Sequence, residues 1–251
     1  MAKNCARKKL LSAVIIALCG TTALTPMSAQ ADPSLQVLGN TIGEWSAQWW
    51  KWAQSIPLSS NPLTDTDGRY CGEGQKGPVW FLGGTWGPLL GQPVSRTCSV
   101  PSNRSIFFPI SNSIWVNTAW DNPNNTKADM RACAAGIPGN SLGCIGPEQF
   151  AGGLTATLGP EPGTESRPVV FHTPIVRSQS PFFKLGTYPV DSIWTVYGVP
   201  SWIFENGPSV SDGFWVMLPP LKPGSYVLKF SATAAGATVQ QDVTYHLVVG
   251  H

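Results

Sequence analysis

Ser141, Asp212 and His246 have the order of a serine-hydrolase triad. Ser141 is the centre of a Gly-x-Ser-x-Gly pattern, in which a strained turn lifts a serine hydroxyl out for nucleophilic attack. Asp212 and His246 follow it in the order acid then histidine. Such a turn needs a strand before the serine and a helix after it, whereas Pro138 precedes this pattern and Cys144 follows it. The three residues are catalytic candidates by type, and the flanks of the serine count against them.

Metal-ligand patterns are incomplete in this chain. Asp65-Thr66-Asp67-Gly68 is similar to the middle of a calcium-binding loop, but Leu63 stands at the first ligand position and Gly74 at the twelfth. The histidines are too scattered to predict a zinc site: His172, His246 and His251. We predict no metal and no cofactor.

Tryptophan is the most distinctive residue type, with 11 among 251 residues. Most of them must belong to the core. Trp86 and Trp120 lie in segments rich in Gly, Pro and Asn, and Trp50 lies on the polar face of a predicted helix. Indoles in such positions can stack against sugar rings and other weakly polar surfaces. We predict Trp50, Trp86 and Trp120 to be ligand-binding residues, and the alternative for Trp50 is that it packs beneath a loop.

The helix that would carry Trp50 begins at a capping box. Thr41 and Glu44 have the spacing at which each side chain can bond to the backbone of the other, and Pro57 predicts an end near Ser55. At about 100° per residue, one narrow face holds the residues expected to be buried: Ile42, Trp45, Trp49, Trp52 and Ile56. Trp50 falls outside this face, on the side expected to meet water.

The first 31 residues have the parts of a secretory signal. Four basic residues precede an apolar run at residues 10–18, and Ala29-Gln30-Ala31 supplies a cleavage site. We therefore predict that residues 1–31 are removed and that residues 32–251 are secreted or periplasmic.

Charge and hydropathy argue against a nucleic-acid partner and against a membrane-spanning segment. Removal of the signal takes four of the 16 Lys and Arg residues and none of the 14 Asp and Glu residues, which leaves 12 basic side chains and a net charge of −2. A nucleic-acid binder would need a basic stripe, and no apolar run approaches the roughly 20 residues of a membrane-spanning helix. We predict no nucleic-acid partner and no transmembrane segment, and the oligomeric state stays open.

Four cysteines remain after the signal, and they permit three pairings. Pairing of Cys71 with Cys98 and of Cys133 with Cys144 closes the shortest loops. We expect that pairing, in structural bridges formed in an oxidising compartment.

Short apolar runs between the 26 Gly and 23 Pro residues predict a mainly β chain. The expected strands before the C-terminal region are residues 79–82, 106–108, 114–118, 168–171 and 193–199. A second helix is predicted at residues 127–135, capped by Asn125 or Thr126 and ended by Gly136. We predict a single domain over residues 32–251, in which only residues 159–168 could mark a boundary between two domains.

The last 40 residues predict a strand at residues 214–218 and then a hairpin. With a turn centred on Ala235-Gly236, Tyr226 would face Tyr245 and Lys229 would pair with Asp242. These strands resemble the closing strands of immunoglobulin-like sandwiches. The predicted fold is a β-sandwich, immunoglobulin-like or jelly-roll-like, with one N-terminal amphipathic Trp-rich helix and disulfide-stapled loops.

Three segments resemble a group of secreted, Trp-rich bacterial proteins of unassigned function. They are Glu44-Trp45-Ser46-Ala47-Gln48-Trp49-Trp50-Lys51-Trp52, Gly77-Pro78-Val79-Trp80-Phe81-Leu82 and Phe107-Phe108-Pro109-Ile110. The resemblance implies an exported envelope or extracellular protein and supplies no catalytic residues.

The sequence therefore favours a secreted, disulfide-stabilised module that binds a carbohydrate or cell-envelope polymer through exposed aromatic residues. One alternative is a secreted hydrolase acting on an ester or a polysaccharide. Another is a structural envelope or assembly protein.

Overall fold

Two four-stranded sheets form the body of the fold, and a separate two-stranded sheet precedes the first helix. The computed structural model describes residues 36–118, 121, 124–140, 142–163, 174–200, 207–234 and 238–250, so the predicted signal and the predicted strand at residues 168–171 lie outside the described part. The strands are β1 (Gln36–Val37), β2 (Asn40–Thr41), β3 (Val79–Phe81), β4 (Pro93–Pro101), β5 (Ser105–Val116), β6 (Leu154–Pro160), β7 (Val176–Gln179), β8 (Ser209–Leu218), β9 (Gly224–Thr233) and β10 (Val239–Gly250). The helices are α1 (Ile42–Ser55) and α2 (Lys127–Ala135), and short 3-10 helices lie at Leu58–Ser60, Gly87–Leu89, Pro147–Phe150 and Ile193–Tyr197.

The two sheets pack as a sandwich, which confirms the predicted mainly β architecture. The first sheet has the order β3-β5-β8-β7 and the second has the order β4-β10-β9-β6. Each contains one parallel pair, β3 with β5 and β4 with β10, and its other pairs are antiparallel. Both sheets combine strands from before and after residues 159–168, and β6 includes the first two residues of that segment.

Strand β8 has a different environment on each of its faces. Val216 and Leu218 belong to the core between the sheets, and Trp215 on the opposite face packs 5.7 Å from Trp49 of α1. Towards the other end of the strand, Asp212 lies on the same face as Val216 by alternation and lines a cleft beside α2. The strand thus separates the Trp-rich helix from the polar cleft.

Helix α1 begins and ends where the sequence predicts. The Thr41 hydroxyl accepts a hydrogen bond of 3.2 Å from the Glu44 amide, and the Glu44 carboxylate accepts one of 2.8 Å from the Thr41 amide. The residues of the predicted apolar face are all buried: Ile42, Trp45, Trp49, Trp52 and Ile56.

The prediction that Trp50 is exposed on α1 is wrong, because its side chain is only 1% exposed. Ser46 and Gln54, on the same side of the helix, are also buried. The Ser46 hydroxyl lies 2.8 Å from that of Ser211 on β8, and Trp50 packs 5.9 Å from Trp86 in the loop after β3. The helix is therefore covered on two sides. Trp50 packs beneath a loop, as the alternative prediction for this residue had it.

Helix α2 also forms over the predicted residues. Thr126 is its cap and exchanges hydrogen bonds with Asp129, and Gly136 ends it with a φ of 68°. The helix packs against the far end of the first sheet, where the Ser113 hydroxyl donates to the carbonyl oxygen of Ala134. This contact places α2 beside the end of β8 that carries Asp212.

The C-terminal hairpin forms with a register that differs by two residues from the predicted one. Tyr245 faces Leu228 instead of Tyr226, and Lys229 faces Thr244 instead of Asp242. The register shifts between Val239 and Gln241, which a turn placed from the sequence alone cannot reveal. A two-residue shift keeps every side chain on its predicted face, so the apolar face is preserved and the predicted ion pair is not.

The predicted strand at residues 193–199 is wrong. Residues Ile193–Tyr197 form a 3-10 helix, with hydrogen bonds of 3.0 Å from the Thr195 amide to Ser192 and from the Gly198 amide to Thr195. Gly198 ends it in the left-handed conformation, with a φ of 69°. The prediction came from a short apolar run near turn residues, and that signal does not distinguish a strand from a short helix at the surface.

Both expected disulfides are present. Cys71 bonds to Cys98 on β4, and Cys133 on α2 bonds to Cys144. The first ties a loop onto the second sheet, and the second holds α2 to the loop before Pro147–Phe150. No helix in the described part of the chain is long and apolar enough to cross a membrane.

Candidate functional site

Trp86 is the centre of an aromatic cluster that reaches the surface. Its ring centroid lies 5.2 Å from that of Trp194 and 5.6 Å from that of Tyr197, and both contacts are edge-to-face. Trp86 and Trp194 are half-buried, and Tyr197 is 51% exposed. These three side chains are called the aromatic patch below.

Two short 3-10 helices position the aromatic patch. Trp86 directly precedes one of them, and Ile193–Tyr197 carries the other two side chains. The indole N–H of Trp86 donates a hydrogen bond of 2.8 Å to the carbonyl oxygen of Ile193, which ties the helices together. Gly87 has a φ of 59°, and a Cβ there would lie 3.1 Å from Val196. Glycine at this position therefore permits both the turn and the close approach.

The aromatic patch rests on the buried rings of α1. Trp86 packs edge-to-face on Trp50 at 5.9 Å, Trp50 on Trp49 at 5.1 Å, and Trp49 on Trp215 at 5.7 Å. This chain of contacts runs from the surface to the first sheet. Close packing leaves the buried rings few alternative rotamers, so the patch rests on a rigid base.

The hydroxyl of Tyr197 adds a polar group to the aromatic patch. Burial raises its pKa above the usual 10, and a hydrogen bond from the backbone of Gly87 partly offsets that rise. The hydroxyl therefore stays protonated at neutral pH and remains able to donate a hydrogen bond.

Asp212 lies in a cleft of about 490 Å³ between α2 and the edge of the first sheet. The polar side chains that line this cleft are Arg131, Glu148, Arg177, Ser178, Gln179 and Asp212. The sequence identified Asp212 by its order in the chain only, and the structure places it among partners that the triad hypothesis did not include. We call this cavity the polar cleft.

Hydrogen bonds join the side chains of the polar cleft into one chain. Arg131 donates to the side-chain oxygen of Gln179, whose Nε2 donates to Asp212 at 3.1 Å. The Nε of Arg177 donates to the other oxygen of Asp212 at 3.2 Å, and its Nη1 donates to Glu148. One guanidinium thus holds the carboxylates of Asp212 and Glu148 close together.

The charges in the polar cleft shift each other's titration. Burial raises the pKa of Asp212 above its usual 3.8, while Arg177 and Gln179 lower it in part. Burial alone would lower the pKa of Arg177, but the carboxylates of Asp212 and Glu148 outweigh it, so the pKa of Arg177 is raised. Arg177 is therefore charged at any physiological pH.

His246 is not brought together with Asp212. It lies on β10 in the second sheet, where its Nδ1 is 2.9 Å from a carboxylate oxygen of Glu161. It lines a separate groove of about 460 Å³, whose lining shares no residue with the polar cleft. Ser141 and Trp120 lie outside the described residues. Asp212 and His246 thus have other partners, and the acid–histidine contact of the predicted triad does not form.

Asp65 and Asp67 form a turn. Asp65 accepts backbone hydrogen bonds from Asp67 at 3.1 Å and from Tyr70 at 2.9 Å, and Asp67 pairs with Arg69. In the described ranges of the chain, no group of three or more His, Cys, Asp or Glu side chains has an arrangement that could hold a metal ion.

Comparison with known proteins gives no relative for this chain: no family model, no curated protein and no solved structure matches it. The functional argument therefore depends on the geometry of the aromatic patch and the polar cleft.

Sequence reasoning missed Trp194, Tyr197, Arg131 and Arg177. Trp194 and Tyr197 fall in the segment predicted to be a strand, and the neighbouring Gly198 was the one local signal for a turn. Nothing in the sequence around the two arginines marks them, because they come to line one cleft only when α2 packs beside β7.

Proposed function

We propose that this protein is an exported module that binds a carbohydrate or cell-envelope polymer through the aromatic patch. The observation that carries the proposal is a pair of half-buried indoles and an exposed tyrosine held on a rigid aromatic base. Of the residues predicted to bind, Trp86 keeps that role here, and Trp194 and Tyr197 join it.

The chemistry of the aromatic patch suits a sugar. The C–H faces of a pyranose ring stack on indole and phenol rings, and a neighbouring hydroxyl can bond to the sugar hydroxyls. Trp86, Trp194 and Tyr197 supply ring surfaces, and Tyr197 supplies the hydroxyl. Because the rings are already held in place, little side-chain entropy is lost when a polymer binds.

Export is part of the same proposal. The two disulfides are typical of proteins that fold in an oxidising compartment, such as the periplasm or the exterior of the cell. The predicted signal at residues 1–31 would deliver the chain there.

Sedimentation with insoluble polysaccharides and with bacterial envelope tests the proposal. We expect the purified protein to sediment with at least one of these polymers and the variants Trp86→Ala and Tyr197→Ala to bind about tenfold more weakly. Tyr70→Ala, which removes a partly exposed tyrosine outside the patch, is the matched control. Circular dichroism of each variant separates lost binding from lost fold.

The same experiment addresses the alternative functions. Fragments released into the supernatant would favour the hydrolase, and their loss in Asp212→Asn would place its chemistry in the polar cleft. Concentration-dependent oligomers without polymer binding would favour the assembly protein. Equal binding by Trp86→Ala, Tyr197→Ala and the unmodified protein would overturn the proposed role of the aromatic patch.

A further inference from the structure

The two ends of the hydrogen-bonded chain in the polar cleft carry opposite charges. Arg131 is at one end and Glu148 at the other, with Gln179, Asp212 and Arg177 between them. The inner pair, Asp212 and Arg177, neutralise each other. A ligand in this cleft therefore meets a cation at one end and an anion at the other.

Arg131 has donors left over for a ligand. Its Nη1 is engaged by Gln179 and by the carbonyl oxygen of Ser180, and its guanidinium lies 4.8 Å from the centre of the Phe182 ring. No carboxylate in the described part of the chain forms an ion pair with it. A guanidinium that lies close to an aromatic ring and has unused N–H groups at a cleft is suited to bind a carboxylate.

Glu148 has an acceptor left over. Arg177 engages its Oε2, and no hydrogen bond to Oε1 is found within the described residues. The side chain is 37% exposed where it lines the cleft, whereas that of Asp212 is 6% exposed. Glu148 is therefore the carboxylate that an entering ammonium group would reach.

The rest of the lining favours a small and non-aromatic ligand. The apolar side chains that line the polar cleft are Ala128, Ala132, Ala135 and Ile137. None of them offers a ring for stacking, so the cleft differs in chemistry from the aromatic patch. A volume of about 490 Å³ is in the range of small-ligand sites.

We propose that the polar cleft binds a short zwitterionic peptide, with the terminal carboxylate at Arg131 and the terminal ammonium at Glu148. A dianion would be repelled by Glu148 and Asp212, and a dication by Arg131 and Arg177. A zwitterion can pair its carboxylate with Arg131 and its ammonium group with Glu148. This site is separate from the aromatic patch and does not depend on the function proposed there.

Four dipeptides that differ only in their terminal charges test the proposal. Isothermal titration calorimetry would compare Ala-Ala, N-acetyl-Ala-Ala, Ala-Ala amide and N-acetyl-Ala-Ala amide. We expect the zwitterion to bind and each single cap to weaken binding by about tenfold, because each cap removes one charge-assisted hydrogen bond. Equal binding of all four, or no binding of Ala-Ala at millimolar concentration, would overturn the proposal.

Substitutions then assign each end of the ligand. In Arg131→Gln, the preference for Ala-Ala over Ala-Ala amide should disappear, while the preference over N-acetyl-Ala-Ala should persist. Glu148→Gln should show the reverse pattern. A merely structural role for either residue would weaken all four peptides equally, and that result would contradict the assignment.

Two control variants complete the test. Arg69→Gln removes an arginine that lines no part of the cleft, and we expect unchanged peptide binding. Trp86→Ala should also bind the peptides normally, since it lies in the aromatic patch. Loss of peptide binding in Trp86→Ala would show that the two sites are one, which would overturn the inference of a separate site.

Discussion

The buried guanidinium of Arg96 donates a hydrogen bond of 2.9 Å to the hydroxyl of Tyr245, and that hydroxyl donates one of 2.8 Å to the carbonyl oxygen of Gly83. Arg96 also donates to the carbonyl oxygens of Asp65, Gly83 and Gly84. No carboxylate in the described ranges pairs with it. A buried cation therefore joins β4, β10 and two loops through neutral oxygen atoms.

Replacing Arg96 should destabilise the fold strongly. In Arg96→Met, the carbonyl oxygens of Asp65 and Gly84 lose their donor inside the protein, and we expect a loss of about 3 kcal/mol or more in the free energy of unfolding. Urea denaturation followed by tryptophan fluorescence measures it. The exposed Arg69→Met is the control and should unfold at the unmodified midpoint; equal midpoints for both variants would contradict the assigned role of Arg96.

Replacing Gln54 should have the opposite effect. Its side chain is fully buried, and neither its oxygen nor its nitrogen has a hydrogen-bond partner among the described residues. Gln54→Met keeps the length of the side chain and removes the unpaired amide, so we expect a gain of about 1 kcal/mol in the free energy of unfolding. Gln48→Met, at an exposed position on the same helix, controls for helix propensity. A destabilised Gln54→Met would indicate that the amide is hydrogen-bonded in solution.

The raised pKa of Asp212 predicts a specific dependence of stability on pH. A carboxyl group whose pKa is higher in the folded state binds its proton more tightly when folded. The protonated group therefore stabilises the fold below pH 3.8, and this stabilisation is lost as the pH rises through the raised pKa. We expect the stability of Asp212→Asn, relative to the unmodified protein, to increase over that window. Urea midpoints measured across acid pH test it.

Glu44 supplies a control of opposite sign for that pH series. Its pKa is lowered by hydrogen bonds from the backbone and the side chain of Thr41. The ionised carboxylate therefore stabilises the fold at pH values above its usual pKa of 4.5, and this stabilisation is lost as the pH falls. The relative stability of Glu44→Gln should therefore increase towards low pH. The same direction of change in both variants would refute the assignment for Asp212.

Removal of the two disulfides should have unequal effects. The bridge from Cys71 to Cys98 spans 27 residues and belongs to the core between the sheets, whereas that from Cys133 to Cys144 spans 11. Chain entropy alone assigns about 3 kcal/mol to each bridge, and slightly more to the longer loop. Loss of buried sulfur adds more to the first bridge, in which both cysteines are buried, than to the second, in which only Cys133 is. Double alanine variants compared by thermal melting should show the larger fall for Cys71 and Cys98. A larger fall for the other pair would contradict this ranking.

Gly43 permits the close approach of α1 to β7. A Cβ at this position would collide with the carbonyl oxygen of Gln179. Gly43→Ala should therefore lose about 1–3 kcal/mol, although alanine is the better helix former. Gly72→Ala is the matched control, because no heavy atom lies within 4 Å of the added Cβ. Thermal melting compares the two variants. A higher melting temperature for Gly43→Ala than for Gly72→Ala would contradict the packing argument.

Elements whose signals are local were predictable from the sequence. The capping box at Thr41, the cap of α2 at one of two adjacent residues, the helix end at Gly136 and the apolar alternation of the C-terminal hairpin depend on neighbouring residues only. The disulfide pairing followed because short loops close most easily. The fold class could be predicted for the same reason, since turn residues and alternation repeat along the whole chain.

Only the tertiary structure decided what covers each face of an element. Trp50 and Gln54 lie on the polar side of α1 by periodicity, yet both are buried. Trp50 is covered by Trp86, in a loop that the helix pattern does not include. The hairpin register depended on a shift between Val239 and Gln241 that local alternation does not encode.

The sites themselves were decided by contacts between distant segments. Arg177 bonds to Asp212 directly and Arg131 is linked to it through Gln179, because α2 packs beside β7 and β8. Trp86 meets Tyr197 because two short helices converge. The sequence by itself thus determined the two helices, the disulfide pairing and the β-rich class of this chain. The packing of remote segments determined which side chains share a site, because burial and charge pairing arise between segments and not within them.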